Sequence, residues 1–215
     1  MTIEILYQDS AILVCIKPAG IAVEGAVPNL CAVLSEQTGT PVYPVHRLDA
    51  PVGGVMVFAR TKEAAAALCR DVSERSIQKE YLAVVSGIPE PAAGELRDWL
   101  YHDARTNKTF TVKKQRKGVK EAVLDYRTLG SAVIGDVPAA LIRVRLHTGR
   151  THQIRAQFAG HQHPLAGDGR YGSRLKGSIA LFSASLAFAH PVSGEPMAFE
   201  ALPQPDNFWQ YFPGF

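Results

Sequence analysis

Two segments of the sequence carry the residue types that acid–base or nucleophilic chemistry requires. In the first, His46-Arg47-Leu48-Asp49, a carboxylate stands beside a histidine and an arginine and precedes the pair Gly53-Gly54. An aspartate at the start of the apolar strand that follows is well placed to act as a working carboxylate, and the glycines allow a backbone or ligand to approach closely. This local context alone nevertheless favours a turn aspartate in a salt bridge.

The second segment runs from Arg143 to Gly172 and is rich in basic side chains. A strand is predicted to end near Leu146, and the turn at Thr148-Gly149 leads into a helix predicted over 151–158. The basic groups expected at the start of this helix are Arg150, His152 and Arg155. Because the N-terminus of a helix adds its own positive potential, this arrangement favours the capture of a phosphate.

The same region contains four histidines that raise the alternative of a metal site: His147, His152, His161 and His163. No Cys, Asp or Glu ligand lies among them, and the neighbouring arginines would repel a divalent cation, so the sequence predicts no metal. The chain also lacks a Walker loop, a Gly-x-Gly-x-x-Gly pattern and a Gly-x-Ser-x-Gly elbow. Nucleotide hydrolysis, dinucleotide redox chemistry and serine hydrolysis are disfavoured together.

Basic residues are concentrated in two blocks, although the net charge of the 215-residue chain is only +3. Residues 105–120 contain seven lysines and arginines and no acid, and residues 143–176 contain seven against the single acid Asp168. An isolated run of charge usually forms a solvated face. Two segregated blocks instead favour a polyanionic partner, most often nucleic acid.

The composition is that of an ordinary soluble globular protein, with 47% hydrophobic and 20% charged residues. The longest apolar run, residues 11–16, is too short to span a bilayer, and the first residues lack the basic and apolar regions of a signal peptide. Cys15, Cys31 and Cys69 show no paired spacing. These features predict a reduced, cytoplasmic protein that does not bind membranes.

The patterning predicts more strands than helices. Strands are predicted at 3–7, 11–16, 55–59, 79–86, 122–129, 139–146 and 179–188, and helices at 29–37, 61–73 and 151–158. Asn29 and Thr61 are predicted to cap the first two helices, and Gly39 is predicted to end the first. Strands and helices do not alternate regularly, which indicates an α+β fold around a mixed or antiparallel sheet. Since no linker divides the sequence, we expect a single domain over residues 1–215.

With these residues in view, the chain resembles the pseudouridine synthases of the RluA type. Five segments match that family in order, from about Tyr7 to Ala201. They are Lys17-Pro18-Ala19-Gly20, His46-Arg47-Leu48-Asp49, Lys79-Glu80-Tyr81-Leu82-Ala83, Thr148 through Arg155, and His163-Pro164-Leu165 through Gly167-Asp168 to Tyr171-Gly172. The His-Arg-Leu-Asp segment alone is a weak signal, whereas the five in order are highly specific.

The resemblance implies a pseudouridine synthase fold with a mixed, mostly antiparallel sheet, flanking helices and a central RNA-binding cleft. It implies an isomerase that converts a uridine in structured tRNA or rRNA to pseudouridine without a cofactor or a metal, and we expect a monomer. By the same resemblance, Asp49 is the catalytic aspartate, Tyr81 stacks on the base and is a candidate to move its C5 proton, and Arg155 is the basic partner of the aspartate. Ile154 is a wall of the base pocket, and Arg47 enters the stack that the target nucleotide leaves.

The remaining expected RNA contacts are basic. They are His46, Arg150, His152, Lys113, Lys114, Arg116 and Lys117. The last four belong to the segment 108–120, which we expect to form a loop that reaches the RNA backbone. A disordered hairpin tip is nearly as good an explanation of this segment.

The sequence departs from the family pattern in two places. Pro51-Val52-Gly53-Gly54 stands where a triplet similar to Thr-Ser-Gly is usual, which removes hydroxyl groups next to Asp49. Many relatives carry an N-terminal S4 domain, whereas the first strand is predicted at Ile3, so we expect the catalytic domain itself to select the RNA. A non-catalytic RNA-binding or RNA-chaperone protein on the same fold is the main alternative, and the intact Asp49, Tyr81 and Arg155 argue against it. A metal hydrolase is a distant third.

Overall fold

The computed structural model describes residues 1–214, whose contacts divide the chain into two compact units. Unit 1 comprises Met1–Glu80 and Phe182–Pro203, and unit 2 comprises Tyr81–Leu181 and the tail that begins at Gln204. Phe215, the last residue of the predicted domain, lies outside the described residues. The expectation of a single domain over residues 1–215 stays a prediction.

Eleven strands and three α-helices form within the described residues. The strands are β1 (Glu4–Gln8), β2 (Ile12–Lys17), β3 (Tyr43–Pro44), β4 (Gly53–Ala59), β5 (Gln78–Ser86), β6 (Ala93–Asp103), β7 (Lys108–Val112), β8 (Val119–Ile134), β9 (Val137–Leu146), β10 (Leu181–Ala189) and β11 (Pro196–Glu200). The helices are α1 (Leu30–Thr38), α2 (Lys62–Glu74) and α3 (Gln153–Gly160). No helix within residues 1–214 has both the length and the apolar character that crossing a membrane requires.

The strands of unit 1 follow the order β1-β2-β4-β10, with β3 paired to β4 and β11 paired to β10. The pairs are antiparallel except β4 with β10, which is parallel. Every residue of β4 is buried, as expected for a continuous apolar run covered on both faces. Its side chains join those of β2, α2 and β10 in one apolar cluster. This cluster holds in place the segment before β4, which carries Asp49.

Both helices of unit 1 begin at their predicted caps, and α1 ends at the predicted glycine. The Asn29 side chain accepts a hydrogen bond from the Ala32 N–H at 3.0 Å, and Gly39 ends α1 in the left-handed region at φ 68°. The Thr61 hydroxyl accepts from the Ala64 N–H at 3.1 Å and so caps α2. The predicted caps and end are confirmed.

Unit 2 is built on an antiparallel meander in the order β9-β8-β6-β7, with β5 next to β9. The long hairpin of β8 and β9 turns at Gly135, which has φ 64°. The helix α3 packs on the sheet through a small apolar cluster in which Ala156 contacts Leu100 and Ala122. The strand β7 is the outermost of the meander.

The predicted α+β fold with a mixed, mostly antiparallel sheet is confirmed, and each predicted strand and helix has a counterpart. Four strands have no counterpart among the predicted ones: β3, β6, β7 and β11. The segment 108–120, expected to form a loop, is strand β7, an exposed turn and the start of β8. The sequence did not predict strand β7 because its buried residue, Thr109, is polar. The strand therefore lacks the alternation of buried apolar and exposed polar residues that usually identifies one.

A substitution at Gly54 tests whether the backbones of β4 and β10 must approach each other closely. The φ of Gly54 is 123°, and a Cβ added there would lie 2.5 Å from the backbone nitrogen of Ser183, which cannot move aside. We therefore expect Gly54→Ala to lower the free energy of unfolding by at least about 2 kcal/mol in urea titration. Gly149→Ala, at a position where an added Cβ meets nothing within 4 Å, is the control and should change it by less than about 1 kcal/mol. Equal effects of the two substitutions would contradict this interpretation.

Candidate active site

Asp49 lies in a short turn of unit 1 that leads into β4. The Val52 N–H donates to the Asp49 carbonyl at 2.9 Å and closes this turn. The Ala50 carbonyl accepts from the Gly20 N–H at 2.8 Å, which ties the turn to the segment after β2. The backbone of Asp49 is thus held in place, and the residue is partly exposed.

A buried lysine organises the same turn. Lys17, the last residue of β2, is fully buried, and its ammonium donates to three backbone carbonyls. These are the carbonyls of Pro18 at 3.0 Å, Ala50 at 3.1 Å and Val52 at 2.7 Å. The three bonds saturate the three donors of the ammonium. The turn that carries Asp49 is therefore fixed around one buried positive charge.

The pKa of Lys17 is well below its ordinary value. Burial lowers the pKa of Lys17 from 10.5 to about 8, and the Asp49 carboxylate raises it in part. Lys17 belongs to one of the five segments that resemble the family, but the sequence predicts no role for it. One signal was available, because a lysine that ends an otherwise apolar strand and precedes a proline is poorly placed to reach solvent.

The residues just before Asp49 alternate between the interior and the surface. His46 is buried, with an exposed fraction of 9%, and its Nε2 accepts from the Val57 N–H at 3.4 Å. Arg47 is exposed, and Leu48 is buried. This alternation leaves the Arg47 guanidinium at the surface, as an RNA contact requires. His46 lies in the interior of unit 1, and its expected contact with RNA stays a prediction.

Gly53 and Gly54 lie where β4 passes close to the backbone of neighbouring strands. Gly53 and Gly54 pair with Phe182 and Ser183 of the parallel strand β10. A Cβ at Gly53 would lie 3.2 Å from the Lys17 carbonyl, so the backbone of β4 also passes close to the end of β2. The sequence interpretation that these glycines permit close backbone approach is confirmed.

In unit 2, Arg155 forms a buried, bidentate ion pair with Asp168. Its Nε lies 2.6 Å from Oδ2 of Asp168, and its Nη2 lies 3.0 Å from Oδ1. The exposed fractions of the two side chains are 5% and 1%. This geometry fixes the orientation of the guanidinium plane, because two of its nitrogens donate to the same carboxylate. Asp168 was quoted in the sequence analysis without a role, and only the fold places it beside Arg155.

Tyr171 connects this ion pair to the strand β7. Its ring centroid lies 5.0 Å from the Arg155 guanidinium carbon, and its hydroxyl accepts from the Thr109 N–H at 2.9 Å. The same hydroxyl is 3.0 Å from Nδ1 of His152. Burial raises the pKa of the Tyr171 phenol above 10.0, so the hydroxyl keeps its proton near neutral pH. His152, expected to contact RNA, is therefore part of an internal network.

The start of α3 differs from the prediction. The helix begins at Gln153 rather than at residue 151, so Arg150 and His152 precede it, and His152 has a left-handed φ of 53°. The Gln153 side chain accepts from the Thr148 hydroxyl at 2.8 Å and from the Arg150 N–H at 3.0 Å, which fixes the turn. Arg150 Nε donates to the Glu121 carbonyl at 3.0 Å. Gln153 was missed because its partners are recognisable only in the folded turn.

The other predicted site residues have the following places. Tyr81 lies in β5 and Ile154 in α3, and both side chains are buried, with exposed fractions of 6% and 4%. The predicted basic contacts lie together in the exposed turn between β7 and β8. These are Lys113, Lys114, Arg116 and Lys117. Asp49, His46 and Arg47 lie in unit 1, whereas Tyr81, Ile154, Arg155 and the basic turn lie in unit 2. Within residues 1–214, no group of three or more His, Cys, Asp or Glu side chains could hold a metal ion.

Comparisons with known proteins agree on one family. The family model described as RNA pseudouridylate synthase matches residues 11–160. A tRNA pseudouridine synthase C of Pasteurella multocida is 33% identical over 217 residues, which cover 90% of this chain and 88% of that protein. A ribosomal large subunit pseudouridine synthase D of Neisseria meningitidis serogroup A is 33% identical over 234 residues, which cover 97% of this chain and 60% of that protein. The solved structure of human RNA Pseudouridylate Synthase Domain Containing 1 shares the fold, with a TM-score of 0.82 at 22% identity over 95% of this chain and 84% of that one.

Lys17→Met tests the buried ammonium. The substitution keeps an unbranched side chain of similar size but leaves the three carbonyls without their donor, so we expect the free energy of unfolding to fall by about 1–3 kcal/mol in urea titration. We also expect the Val52 amide to exchange with deuterium faster. Lys62→Met, at an exposed residue of α2, is the matched control and should shift stability by no more than about 0.5 kcal/mol. A Lys17→Met protein as stable as the wild type would refute the role of Lys17.

His46 predicts a pH dependence of stability. Burial, and then the charge of Lys79, hold the pKa of His46 well below its ordinary value of 6.5. Below pH 6.5 the unfolded chain therefore binds a proton that the folded protein does not. The stabilising contribution is complete above pH 6.5 and is lost as the pH falls, by at most about 1.4 kcal/mol per pH unit.

The measurement is the free energy of unfolding of wild type and His46→Gln between pH 7.5 and 5. The wild type should lose stability more steeply than the variant as the pH falls. Parallel slopes for wild type and His46→Gln would contradict the assignment.

Proposed function

The chain belongs to the RNA pseudouridylate synthase family and is an isomerase that acts on RNA, and we propose that it converts a specific uridine of a tRNA or a ribosomal RNA to pseudouridine. The observation that carries this proposal is the family match over residues 11–160, which contains Asp49, Tyr81 and Arg155. Relatives named for tRNA and for the ribosomal large subunit match at the same identity of 33%. Both classes of RNA are therefore candidate substrates.

The reaction sets clear demands on the protein. The bond between C1′ and N1 of the uridine breaks, the uracil rotates, and a bond forms between C1′ and C5. N1 gains a proton and C5 loses one, so the product is an isomer and needs neither an oxidant nor a second substrate. The nucleotide must leave the stack, at a cost of about a few kcal/mol that is smallest in a loop. The protein must therefore supply a nucleophile or base, hold the freed uracil and accept the proton that C5 loses.

We assign Asp49 as the catalytic aspartate. The carboxylate must be ionised whether it attacks C1′ or removes a proton from the sugar. Two hydrogen bonds of Lys17, to the carbonyls of Ala50 and Val52, fix the turn that carries it, and Asp49 is partly exposed. A fixed backbone at Asp49 supports this role because catalysis depends on groups held in advance in the reacting geometry.

Tyr81 and Arg155 complete the proposed catalytic set. Tyr81 would stack on the uracil and is a candidate to move the C5 proton, and Ile154 would form a wall of the base pocket. Arg155 would be the basic partner of Asp49. The bidentate ion pair with Asp168 supports this role, because it holds the Arg155 guanidinium in one orientation.

The RNA itself would be bound by cations at the surface of each unit. The exposed guanidinium of Arg47 would enter the stack from which the uridine is removed, where a planar cation fits well. The basic turn of residues 113–118 would contact the phosphate backbone. Arg150 and His152 are proposed as supporting contacts, although each also has a hydrogen-bond partner within unit 2.

We further propose that the protein works as a monomer in the cytoplasm. Cys15, Cys31 and Cys69 are free thiols, which fits a reducing compartment. Burial raises the pKa of Cys15 to about 12, so this thiol stays protonated and behaves as a small apolar side chain.

Asp49→Asn is the direct test of the proposed chemistry. Transcripts of tRNA and rRNA that carry tritium at C5 of uridine should release tritium with the wild type and none with Asp49→Asn, because the amide can neither attack nor take a proton. Asp136→Asn, in the exposed turn between β8 and β9, is the matched control and should keep wild-type activity. Whichever transcript releases tritium identifies the class of RNA.

Turnover by Asp49→Asn would overturn the role of Asp49. If wild-type protein bound both transcripts and released tritium from neither, the result would support a non-catalytic RNA-binding protein instead. The variant should bind RNA with wild-type affinity, and a filter-binding measurement separates a lost reaction from lost binding.

A further inference from the structure

One face of the β6–β7 hairpin presents aromatic rings that the proposed reaction does not use. Tyr101 of β6 and Phe110 of β7 are directly opposite each other in the antiparallel register, so their side chains lie on the same face. Trp99 and Val112, also a registered pair, continue this face by one step along the strands. Phe110 is 41% exposed. We call Trp99, Tyr101 and Phe110 the aromatic face.

The opposite face of the same hairpin is buried. Leu100, with an exposed fraction of 3%, contacts Ala156 of α3, and Thr109, with 2%, donates its hydroxyl to the Thr151 carbonyl at 2.8 Å. A Cβ added at Gly160 would lie 2.7 Å from the Thr111 side chain, so α3 and β7 are in close contact. The hairpin is thus anchored on one side, and the aromatic face is the side left towards solvent.

Cations stand over the rings of the aromatic face. The Lys108 ammonium lies 5.4 Å from the Phe110 ring centroid, and the Arg116 guanidinium carbon lies 5.3 Å from that of Tyr101. A single exposed apolar side chain is common and needs no explanation. Two registered aromatic rings, each accompanied by a cation, form a surface suited to flat, electron-rich groups that carry negative charge nearby.

We propose that the aromatic face binds an unpaired nucleotide of the RNA substrate, with a base stacked on Phe110 and Tyr101 and its phosphates on the neighbouring cations. This rests on the proposed function and extends it, because it assigns the protein a preference for single-stranded segments of its RNA substrate. Aromatic side chains bind bases of any sequence through their faces. The site would therefore select unpaired structure rather than sequence.

The charge of the surrounding chain favours RNA over a protein as the occupant. Residues 104–120 contain no acidic residue and seven basic ones. These are Arg105, Lys108, Lys113, Lys114, Arg116, Lys117 and Lys120. A protein surface that covered Phe110 would have to be strongly acidic, whereas every nucleotide brings both a flat base and a phosphate.

The test compares single-stranded and double-stranded RNA. The probes are a 12-nucleotide oligouridine and a blunt duplex of the same length, and dissociation constants are measured by fluorescence anisotropy at several salt concentrations. Phe110→Leu keeps an apolar side chain and removes the ring, so the oligouridine should bind roughly five- to 100-fold more weakly, the range expected for one lost stack. The duplex should change by less than twofold, and the salt dependence should stay as in the wild type.

Three further variants make the result specific. Phe110→Trp should restore binding because it supplies another ring. The double variant Lys113→Ala/Lys114→Ala should weaken both probes and reduce the salt slope by about 1 or more, since phosphate contacts are lost. Val133→Ala, at a residue 62% exposed in the β8–β9 hairpin, is the control for loss of an exposed apolar side chain and should bind as the wild type does. Urea titration confirms that each variant is folded.

The proposal is overturned if Phe110→Leu binds oligouridine as the wild type does, or if it weakens the duplex equally. The first result would leave a protein partner as the occupant of the aromatic face. Failure of the proposed function is distinguishable, because oligouridine binding needs no isomerisation. Wild-type protein that releases no tritium, together with a Phe110→Leu effect on oligouridine, would retain the aromatic face and reject the reaction.

Discussion

The buried ammonium of Lys17 is the constraint on which the candidate site of unit 1 depends. A charge removed from water is costly unless all of its hydrogen-bonding capacity is used. Here the three donors meet the carbonyls of Pro18, Ala50 and Val52, and two of these belong to the turn that carries Asp49. The turn cannot shift without breaking a bond to a buried charge, so the position of the aspartate is determined by a residue more than thirty positions away in the sequence.

Unit 2 contains a second buried charge that is fixed in a different way. Arg155 meets the Asp168 carboxylate with two parallel hydrogen bonds, and the Tyr171 ring covers the guanidinium. The Tyr171 hydroxyl in turn accepts from the backbone of β7 at Thr109. The strand that carries the aromatic face and the arginine proposed to act in catalysis are therefore linked through one tyrosine side chain. Tyr171 thus connects the hairpin that is proposed to bind RNA with the side chain of Arg155.

Local chemistry made much of the fold predictable from the sequence. The caps at Asn29 and Thr61 and the fully buried run of β4 depend on neighbours within a few residues, and the structure confirms them. The motif residues Asp49, Tyr81 and Arg155 were found through the family resemblance. Their surroundings were not, because Lys17 and Asp168 acquire their roles only through contacts made in the folded chain. The start of α3 was predicted two residues too early for the same reason, since the side-chain bonds of Gln153 cannot be inferred from spacing.

The most direct test is to measure the pKa of Lys17. NMR of a 13C-labelled lysine side chain, recorded as the pH is raised, gives this value. Burial should give a pKa of about 8, and the pKa should fall further in Asp49→Asn, because the carboxylate that raises it is lost. Both results would place a desolvated ammonium beside the aspartate. A pKa near 10.5 that does not respond to the loss of Asp49 would show that Lys17 is solvated, and would contradict the central role given to it.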